Sequence, residues 1–509
     1  MQCEVMSTRG VTARVSVRGE LLGPKRRATT VGVLLIILMV AFEAMGVNTA
    51  MPRLVVDLGA LTLYAWPFVA FMAAAVFGTV MAGWWCDRSG PRVPLLVAPA
   101  LFGAGLVTAA LAHGMPQLLG GRVLQGLGAG TVTVSMYVLI ALIYPERVRP
   151  AMFGLMSSAW VLPSLIGPPI SGIVTERWSW RWVFLGLVPI VVMAFVLVVP
   201  AVRRLGEPER GIPPAGGPAE IMPGGPAEVG PGGPAEIGPR GSAEIVPGGL
   251  AEAAPGDTPT RDAGARGRGV VLAALAAAVG VSALSYAGER KDVFALVIAA
   301  GAILLLVPAL RRLLPGGVFA ARQGVPTLVA ARGLCAALFG AANSFLPLML
   351  TSSHRWSLAA AGIPLAVGSL GWSAASFWQG RHPDLPRARL LRVGFGLLTV
   401  SVLGLQLVAQ PWGAAWLSFL AWAIAGAGMG LCFPSVNFLL LRQSERPEVG
   451  FNTSAAQVSE QLGTAAMIGV GGALLALFGV PTLAMPVLLG LLTLLGVTGM
   501  LIAGRAATS

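Results

Sequence analysis

Fourteen long apolar stretches, separated by short polar segments, make up most of the chain. Each is close to the ~20 residues that an α-helix needs to cross a hydrocarbon core of ~30 Å. The pattern therefore predicts fourteen membrane-spanning helices and an all-α polytopic membrane protein. The predicted spans, numbered 1 to 14, are 31–51, 64–86, 93–112, 118–143, 150–174, 182–200, 268–287, 292–310, 326–350, 358–379, 388–408, 413–440, 449–477 and 480–503.

The composition agrees with a membrane protein, since 55% of the 509 residues are hydrophobic and 11% are charged. No soluble domain is expected within such a chain. The net charge of +13 raises the question of nucleic-acid binding. The basic residues are scattered through short loops and do not gather on one face, however, so they indicate membrane topology. We therefore expect the lipid bilayer, and no nucleic acid, as a partner.

Most Lys and Arg residues fall on the same side of the membrane as the N-terminus when the spans are taken in order. That side is predicted to be cytoplasmic, and the even number of spans returns the C-terminus to it. The protein is expected to be a multi-pass protein of the plasma membrane. Two basic residues lie inside spans, Arg122 and Arg332, and two acidic residues lie well inside spans, Glu43 and Glu460.

Residues 216–255 form an octapeptide repeat that begins "GGPAEIMP" and separates span 6 from span 7. Pro and Gly in nearly every unit disfavour a helix, and so few aliphatic residues cannot bury enough surface to offset ordering. A disordered cytoplasmic linker is predicted, and a binding tail is the alternative. The expected organisation is a tail at 1–30, a six-helix bundle at 31–200, the linker at 201–267, two inserted helices at 268–310, a cytoplasmic loop at 311–325 and a second six-helix bundle at 326–503.

The most unusual residue of span 1 is Glu43, in the segment "FEAMGVNTAMP" at 42–52. A carboxylate in hydrocarbon costs several kcal/mol, so its retention indicates a function. A carboxyl group near mid-membrane can exchange a proton when its surroundings change. The alternative is a glutamate that only braces the helices by hydrogen bonds. Arg122 of span 4 is the expected partner of Glu43, and a static pair is the alternative to a pair that opens.

Several segments together resemble a known family. "GWWCDRSGPRVPL" at 83–95 is similar to the loop signature between spans 2 and 3 of the major facilitator superfamily, and "GRVLQGLGAG" at 121–130 is similar to its Arg-x-x-Gln-Gly motif. "PSLIGPPISG" at 163–172 resembles the signature of the superfamily's antiporters, although Pro163 and Ser171 replace two glycines. With "FEAMGVNTAMP" and fourteen spans, the chain is identified as a member of the fourteen-span drug:proton antiporter branch.

The resemblance implies a major facilitator fold, in which two six-helix bundles enclose a central cavity and rock by alternating access. It also implies proton coupling at Glu43 and Arg122, outward transport, and a conformational latch in the loop after span 2. The residues of this gating loop and its partner loop are Gly83, Asp87, Arg88, Gly90, Arg92, Glu146 and Arg147, and those of the antiporter helix are Gly167, Pro168 and Gly172.

Span 13 carries a polar stripe in "AAQVSEQLGT", which is improbable on a lipid-facing surface. We expect it to line the cavity, with Glu460 as a second proton site or as a cation-binding acid; packing within the bundle is the alternative. The residues expected to line the substrate cavity are Asn48, Gln125, Asn343, Asn437, Gln457, Glu460 and Gln461.

Neither lysine, Lys25 or Lys291, stands in a phosphate-binding loop, so transport driven by ATP is not expected and no cofactor is implied. The three histidines are far apart in sequence without metal spacing or a nucleophile motif, which argues against a metal site and an enzyme. The predicted function is a monomeric secondary exporter that exchanges amphipathic or cationic organic compounds for protons, as in multidrug efflux. A dedicated exporter of one endogenous metabolite or lipid is the main alternative, and a non-transporting receptor or scaffold is a remote one.

Overall fold

The computed structural model describes residues 21–23, 26–145, 148–204, 261–382, 384–445 and 448–506. Within these ranges the chain is helical and has no strand, and it holds 14 helices long and apolar enough to cross a membrane. The predicted fold class is confirmed. The helices are α1 (Arg27–Asp57), α2 (Trp66–Ser89), α3 (Arg92–Ala110), α4 (Met115–Ile143), α5 (Arg149–Arg177), α6 in two segments (Arg181–Leu185 and Val188–Arg204), α7 (Arg261–Glu289), α8 (Phe294–Leu313), α9 (Val325–His354), α10 (Leu358–Arg381), α11 (Arg387–Ala409), α12 (Leu417–Gln443), α13 (Val449–Phe478) and α14 (Pro481–Ala503).

These segments are helical because a backbone inside hydrocarbon must satisfy its own hydrogen bonds, which a helix does within one segment. Helix α5 is continuous despite Pro163, Pro168 and Pro169 in its interior. Neighbouring helices tolerate such prolines in membrane proteins. The octapeptide repeats and most of the predicted linker lie outside the described residues, as do residues 1–20 of the predicted tail.

Helices α1–α6 and α9–α14 form two bundles with matching contacts. In the first bundle α4 packs on α2 and α3, and α1 packs on α5; in the second, α12 packs on α10 and α11, and α9 packs on α13. Gly126 of α4 and Gly426 of α12 show how close the approach is, because a Cβ at either would overlap a backbone carbonyl, of Phe71 and Gly368 respectively. The second bundle thus repeats the helix packing of the first.

The inserted helices α7 and α8 lie along one seam between the bundles. Helix α7 packs on α2 of the first bundle, on α13 of the second and on α8. At its end, Glu289 accepts a hydrogen bond of 2.6 Å from the indole of Trp66 on α2. The outer surface of α8 is apolar and exposed, with Leu304 at 76% exposure, as expected of a helix that faces lipid.

The two bundles meet mainly in one half of the membrane. We call the side where α1 begins and α14 ends the terminal side, and the opposite side the far side. In the far half, the Tyr64 hydroxyl donates to the Ser344 carbonyl at 2.7 Å, and α5 packs along α10. Toward the terminal side, Tyr137 of α4 and Glu460 of α13 keep exposures of 38% and 30%. The structure therefore has a closed far side and a gap between the bundles that is reached from the terminal side.

Candidate functional site

Glu43 and Arg122 meet in the centre of the first bundle. Nη1 of Arg122 donates to Oε1 of Glu43 and, at 2.5 Å, to Oε1 of Gln125, while its Nε donates to the Pro67 carbonyl at 3.0 Å. The guanidinium carbon also lies 4.5 Å from the centre of the Phe71 ring. Both charged side chains are almost wholly buried, with an exposure of 0% for Glu43 and 3% for Arg122.

One oxygen of this pair is left without a partner. Oε2 of Glu43 is buried and makes no hydrogen bond, and the same is true of Nε2 of Gln125. An unsatisfied buried polar atom costs about 1–3 kcal/mol, more when it carries charge. The carboxylate therefore has a position for a proton that does not require Arg122 to move first.

A second ion pair lies in the other bundle, and the sequence analysis did not predict it. Arg332 of α9 donates Nε to Oε2 of Glu460 at 2.9 Å, and its Nη2 lies 2.7 Å from the same oxygen. Its Nη1 donates to Oδ1 of Asn437 on α12, and its guanidinium carbon is 3.9 Å from the centre of the Phe433 ring. Arg332 thus contacts three side chains, those of Glu460, Asn437 and Phe433.

The two pairs differ in how much of each is exposed. The side chains of Arg332 and Glu460 are 11% and 30% exposed, against 3% and 0% for Arg122 and Glu43. Tyr137, on the opposite bundle, lies within electrostatic range of both Arg332 and Glu460. The second pair therefore faces the gap between the bundles, whereas the first is enclosed within its own bundle.

Aromatic rings line the second bundle beside this open pair. The ring centres of Phe339 and Trp422 are 5.0 Å apart and stacked, and Phe339 meets Trp372 edge-on at 5.7 Å. Trp372 in turn lies 5.6 Å from Phe433, the ring beneath Arg332. The rings of Phe339, Trp372 and Phe433 therefore form an aromatic wall that ends beside Arg332, the partner of Glu460.

Helix α5 seals the far half against α10 of the other bundle. A Cβ on Gly172 would lie 2.5 Å from the Ala359 Cα, and a Cβ on Gly362 would lie 2.7 Å from the Pro168 carbonyl carbon. Gly167 instead faces α1, where a Cβ would lie 3.6 Å from the Phe42 ring. Pro168 and Gly172 thus serve the contact between bundles, and Gly167 serves the packing of α5 within its own bundle.

The profile of the Major Facilitator Superfamily matches residues 33–468 of the chain. The chain belongs to the Major Facilitator Superfamily. The membership expected from the sequence is confirmed. Members of this superfamily carry small molecules across membranes and are transporters, not enzymes. With fourteen membrane helices in the part of it that the structure describes, this chain is a multi-pass membrane protein.

Curated relatives in the superfamily match about a third of this chain and about a third of their own length. Multidrug resistance protein 3 of Bacillus subtilis (strain 168) is 32% identical over 168 residues, which are 33% of this chain and 33% of that protein. A transporter of the acurin A biosynthesis cluster of Aspergillus aculeatus is 30% identical over 163 residues, 32% of this chain and 29% of that protein.

Solved structures of other transporters share the fold at low identity. A POT family transporter in complex with 5-aminolevulinic acid has a TM-score of 0.64 and 13% identity, with 94% of this chain and 97% of that chain covered. A D-xylose–proton symporter has a TM-score of 0.61 and 12% identity over the same shares. These likenesses concern the fold alone.

The superfamily's loop signature is described in part. Gly90 ends α2 with a φ of 74°, a left-handed conformation that favours glycine, so it allows the chain to turn there. A Cβ on Gly83 would meet no atom within 4 Å, so no other helix approaches closely at that position in this conformation. The guanidinium of Arg88 lies 5.8 Å from the Trp84 ring, and Arg92 donates to the Arg203 carbonyl at 3.4 Å.

Three residues predicted for the gate fall outside what the structure describes. Glu146 and Arg147 lie outside the described residues, and so does the side chain of Asp87. Their gating role remains a prediction.

The other residues predicted to line the cavity of this superfamily member fall into two groups. Asn48 and Asn343 are buried, and Asn48 donates to the Ala44 carbonyl of its own helix at 3.1 Å. Gln457, three residues before Glu460, and Gln461, directly after it, are partly exposed on α13, and Oε1 of Gln461 has no hydrogen-bond partner. The polar stripe of α13 thus reaches the gap at Glu460, while the two asparagines do not present their side chains to it.

Proposed function

We propose that the chain is a secondary active exporter that exchanges amphipathic or cationic organic compounds for protons by alternating access. The observation that carries the proposal is the enclosed pair of Glu43 and Arg122, with an unpartnered carboxylate oxygen. No cofactor and no ATP take part, and the proton gradient supplies the energy.

The coupling step is a change in the charge of Glu43. When Glu43 accepts a proton, its attraction to Arg122 falls, and Arg122 keeps its hydrogen bonds to Gln125 and to the Pro67 carbonyl. Because Arg122 joins α4 to both α1 and α2, the loss of one bond changes the relative stability of the two packings of the first bundle. A group can shift such an equilibrium only by its differential interaction with the two states, and the paired charge provides that difference.

Substrate recognition falls to the second bundle. The wall of Phe339, Trp372 and Phe433 offers apolar surface to the flat body of a substrate. Both contacts from Arg332 to Glu460 are made to Oε2, so Oε1 remains available to an ammonium or another donor. An aromatic surface next to a partly exposed carboxylate suits an amphipathic cation.

The relatives support efflux and leave a second candidate. The name of multidrug resistance protein 3 supports a broad range of substrates for this chain. The relative from the acurin A biosynthesis cluster favours the second candidate, a dedicated exporter of one endogenous metabolite or lipid. Both use the same coupling at Glu43.

Charge and packing support a direction of transport and a location. The bias of basic residues toward the terminal side supports a cytoplasmic location for both termini in a plasma membrane. With that orientation, the seal between α5 and α10 lies on the outer side and the gap between the bundles opens to the cytoplasm. We propose that the transporter works as a monomer.

Uphill transport in proteoliposomes tests the proposal. Vesicles that are acidic inside should accumulate ethidium against its gradient through molecules whose terminal side faces outward, and dissipating the pH gradient should release it. If ethidium accumulates to the same extent with and without the pH gradient, transport does not exchange ethidium for protons. A panel of unrelated cations in the same assay separates broad efflux, in which several compete, from a dedicated exporter, in which none does.

A further inference from the structure

A cavity of about 590 Å³ lies on the far side, directly outside the closed contact between the bundles. Its walls come from both bundles: from the end of α1, the end of α5 and the segment that joins α9 to α10. We call it the far vestibule, and the lining residues that matter below are Arg53, Asp57, Glu176, Trp178, Thr351 and Trp356. Ligand sites for drug-sized molecules have volumes of about 300–1,000 Å³, so this cavity is large enough for one.

Two indole rings supply the aromatic part of the far vestibule. Trp178, after the end of α5, is 71% exposed, although large apolar side chains gain by being covered. Trp356 stands on the opposite bundle, 5.8 Å from Phe419 between ring centres. Tryptophan is the best aromatic partner for a cation above its ring.

The charged side chains that line the far vestibule sum to one net negative charge. Arg53 and Asp57 pair at 2.9 Å along one face of α1 and cancel each other. Glu176 has no basic partner among these lining residues; its Oε1 accepts from the backbone N–H groups of Leu358 and Ala359 at the start of α10. The negative charge and the two indoles together favour a cation with an aromatic body.

The bond from Glu176 also links the site to the conformation of the protein. It joins the end of α5 in one bundle to the first turn of α10 in the other, so it exists only while the far side is closed. When the bundles part on this side, the walls that carry Trp178 and Trp356 must separate. A ligand that touches both walls therefore binds the closed state more tightly than the open one.

We propose that the far vestibule is a second binding site, distinct from the central cavity, for flat aromatic cations that arrive from the far side. Its occupancy holds the far side closed and so slows transport. The inference goes beyond the proposed function, since it depends on neither the direction of transport nor its coupling to protons.

Binding of propidium, a flat aromatic dication that does not cross bilayers, tests the site on the purified full chain in lipid nanodiscs. The substitutions Asp57→Asn and Trp178→Ala should each raise the Kd of propidium about fivefold, because the first leaves Arg53 unpaired and so cancels the net negative charge of the vestibule, and the second removes an exposed indole. Their matched controls on the same side are Asp292→Asn and Trp412→Ala, which lie outside the vestibule and should leave the Kd unchanged. All four side chains are exposed, so their replacement should not unfold the protein.

Glu460→Gln separates this site from the central cavity. Propidium binding that survives Glu460→Gln and falls with the vestibule variants supports the proposal. Binding that is lost with Glu460→Gln and unaffected by the vestibule variants, or no binding at all, overturns it. A failure of proton-driven uptake would refute the proposed function and leave this result unchanged.

Distances between spin labels at Leu111 and Gln410, on the far side of the two bundles, test the effect on conformation. Propidium should shift the distance distribution toward its short component, and Trp178→Ala should weaken that shift. A distribution that lengthens or does not change with saturating propidium would contradict the conformational part of the proposal.

Discussion

Replacing Arg122 by methionine while Glu43 stays in place is expected to destabilise the protein by about 3–5 kcal/mol, the usual cost of leaving one charge of a buried pair alone. The full cost should apply because the two side chains are 3% and 0% exposed and because Oε2 of Glu43 already has no partner. Methionine keeps most of the volume beside Phe71, so little of the loss comes from packing.

The double variant Arg122→Met with Glu43→Gln should recover at least half of that loss. Buried pairs replaced by neutral groups of similar size are often no less stable than the original, since two desolvation costs disappear together. The side-chain amide introduced by Glu43→Gln can bond to the Gln125 side chain, which otherwise loses its charged partner.

Arg332→Met provides the matched control. Its partner Glu460 is 30% exposed and can be solvated from the gap, so the expected loss is about 1–3 kcal/mol, between the limits for exposed and buried pairs. Reversible unfolding of the purified variants in mixed micelles measures all three. If Arg122→Met costs less than Arg332→Met, or if the double variant is as unstable as the single one, the enclosed charge pair does not control stability as argued.

Three further changes test the gate, the seal and the linker. Asp87→Asn should slow turnover while substrate still binds the solubilised protein, and a loss of binding in a folded variant would place Asp87 in the cavity. Gly172→Val should weaken the far-side seal, because a Cβ there would lie 2.5 Å from the Ala359 Cα. A cysteine introduced at buried Thr175 should then be labelled faster by a thiol reagent. The control Gly120→Val, where a Cβ meets open space, should leave that labelling rate unchanged. Deleting 216–255 should leave transport largely intact, and a deletion that folds, reaches the membrane and transports nothing would refute the linker interpretation.

The helices were predictable because their signal is length and apolarity, which are properties of one segment at a time. Each predicted apolar stretch coincides with a helix of the structure except for differences at the ends, and only span 6 is interrupted inside, at 186–187. The contact of Arg122 with Glu43 could also be expected, since a permanent charge in hydrocarbon must find a partner.

The same rule should have revealed the pair of Arg332 and Glu460. The sequence places two acidic and two basic residues well inside spans, and pairing Arg122 with Glu43 leaves one of each sign. Glu460 already has Arg332 as a partner, which affects both of its predicted roles. A proton or a substrate cation that binds Oε2 must compete with Arg332 for it.

Other features depend on contacts between segments that are distant in sequence. In the structure Gly167 faces α1 and Gly172 faces α10, which the pattern of small residues in α5 does not predict. Successive residues of a helix point about 100° apart, and the neighbours of α5 come from both bundles, so sequence spacing alone does not identify the partner of each glycine. The far vestibule is built from the ends of α1, α5 and α9, and its existence depends on which side of the protein is closed. No local pattern encodes that choice.

The most direct test of the central claim is simultaneous measurement of proton flux and ethidium movement in proteoliposomes with an imposed pH gradient, for Glu43→Gln and Glu460→Gln side by side. A glutamine at position 43 can accept hydrogen bonds from Arg122 but cannot change its charge. The account predicts that Glu43→Gln abolishes both proton exchange and uphill accumulation while the protein stays folded, and that Glu460→Gln keeps proton exchange but narrows the range of cations moved. If Glu43→Gln exchanges protons for ethidium at the parent rate and Glu460→Gln does not, coupling belongs to the second bundle and its assignment to Glu43 is wrong.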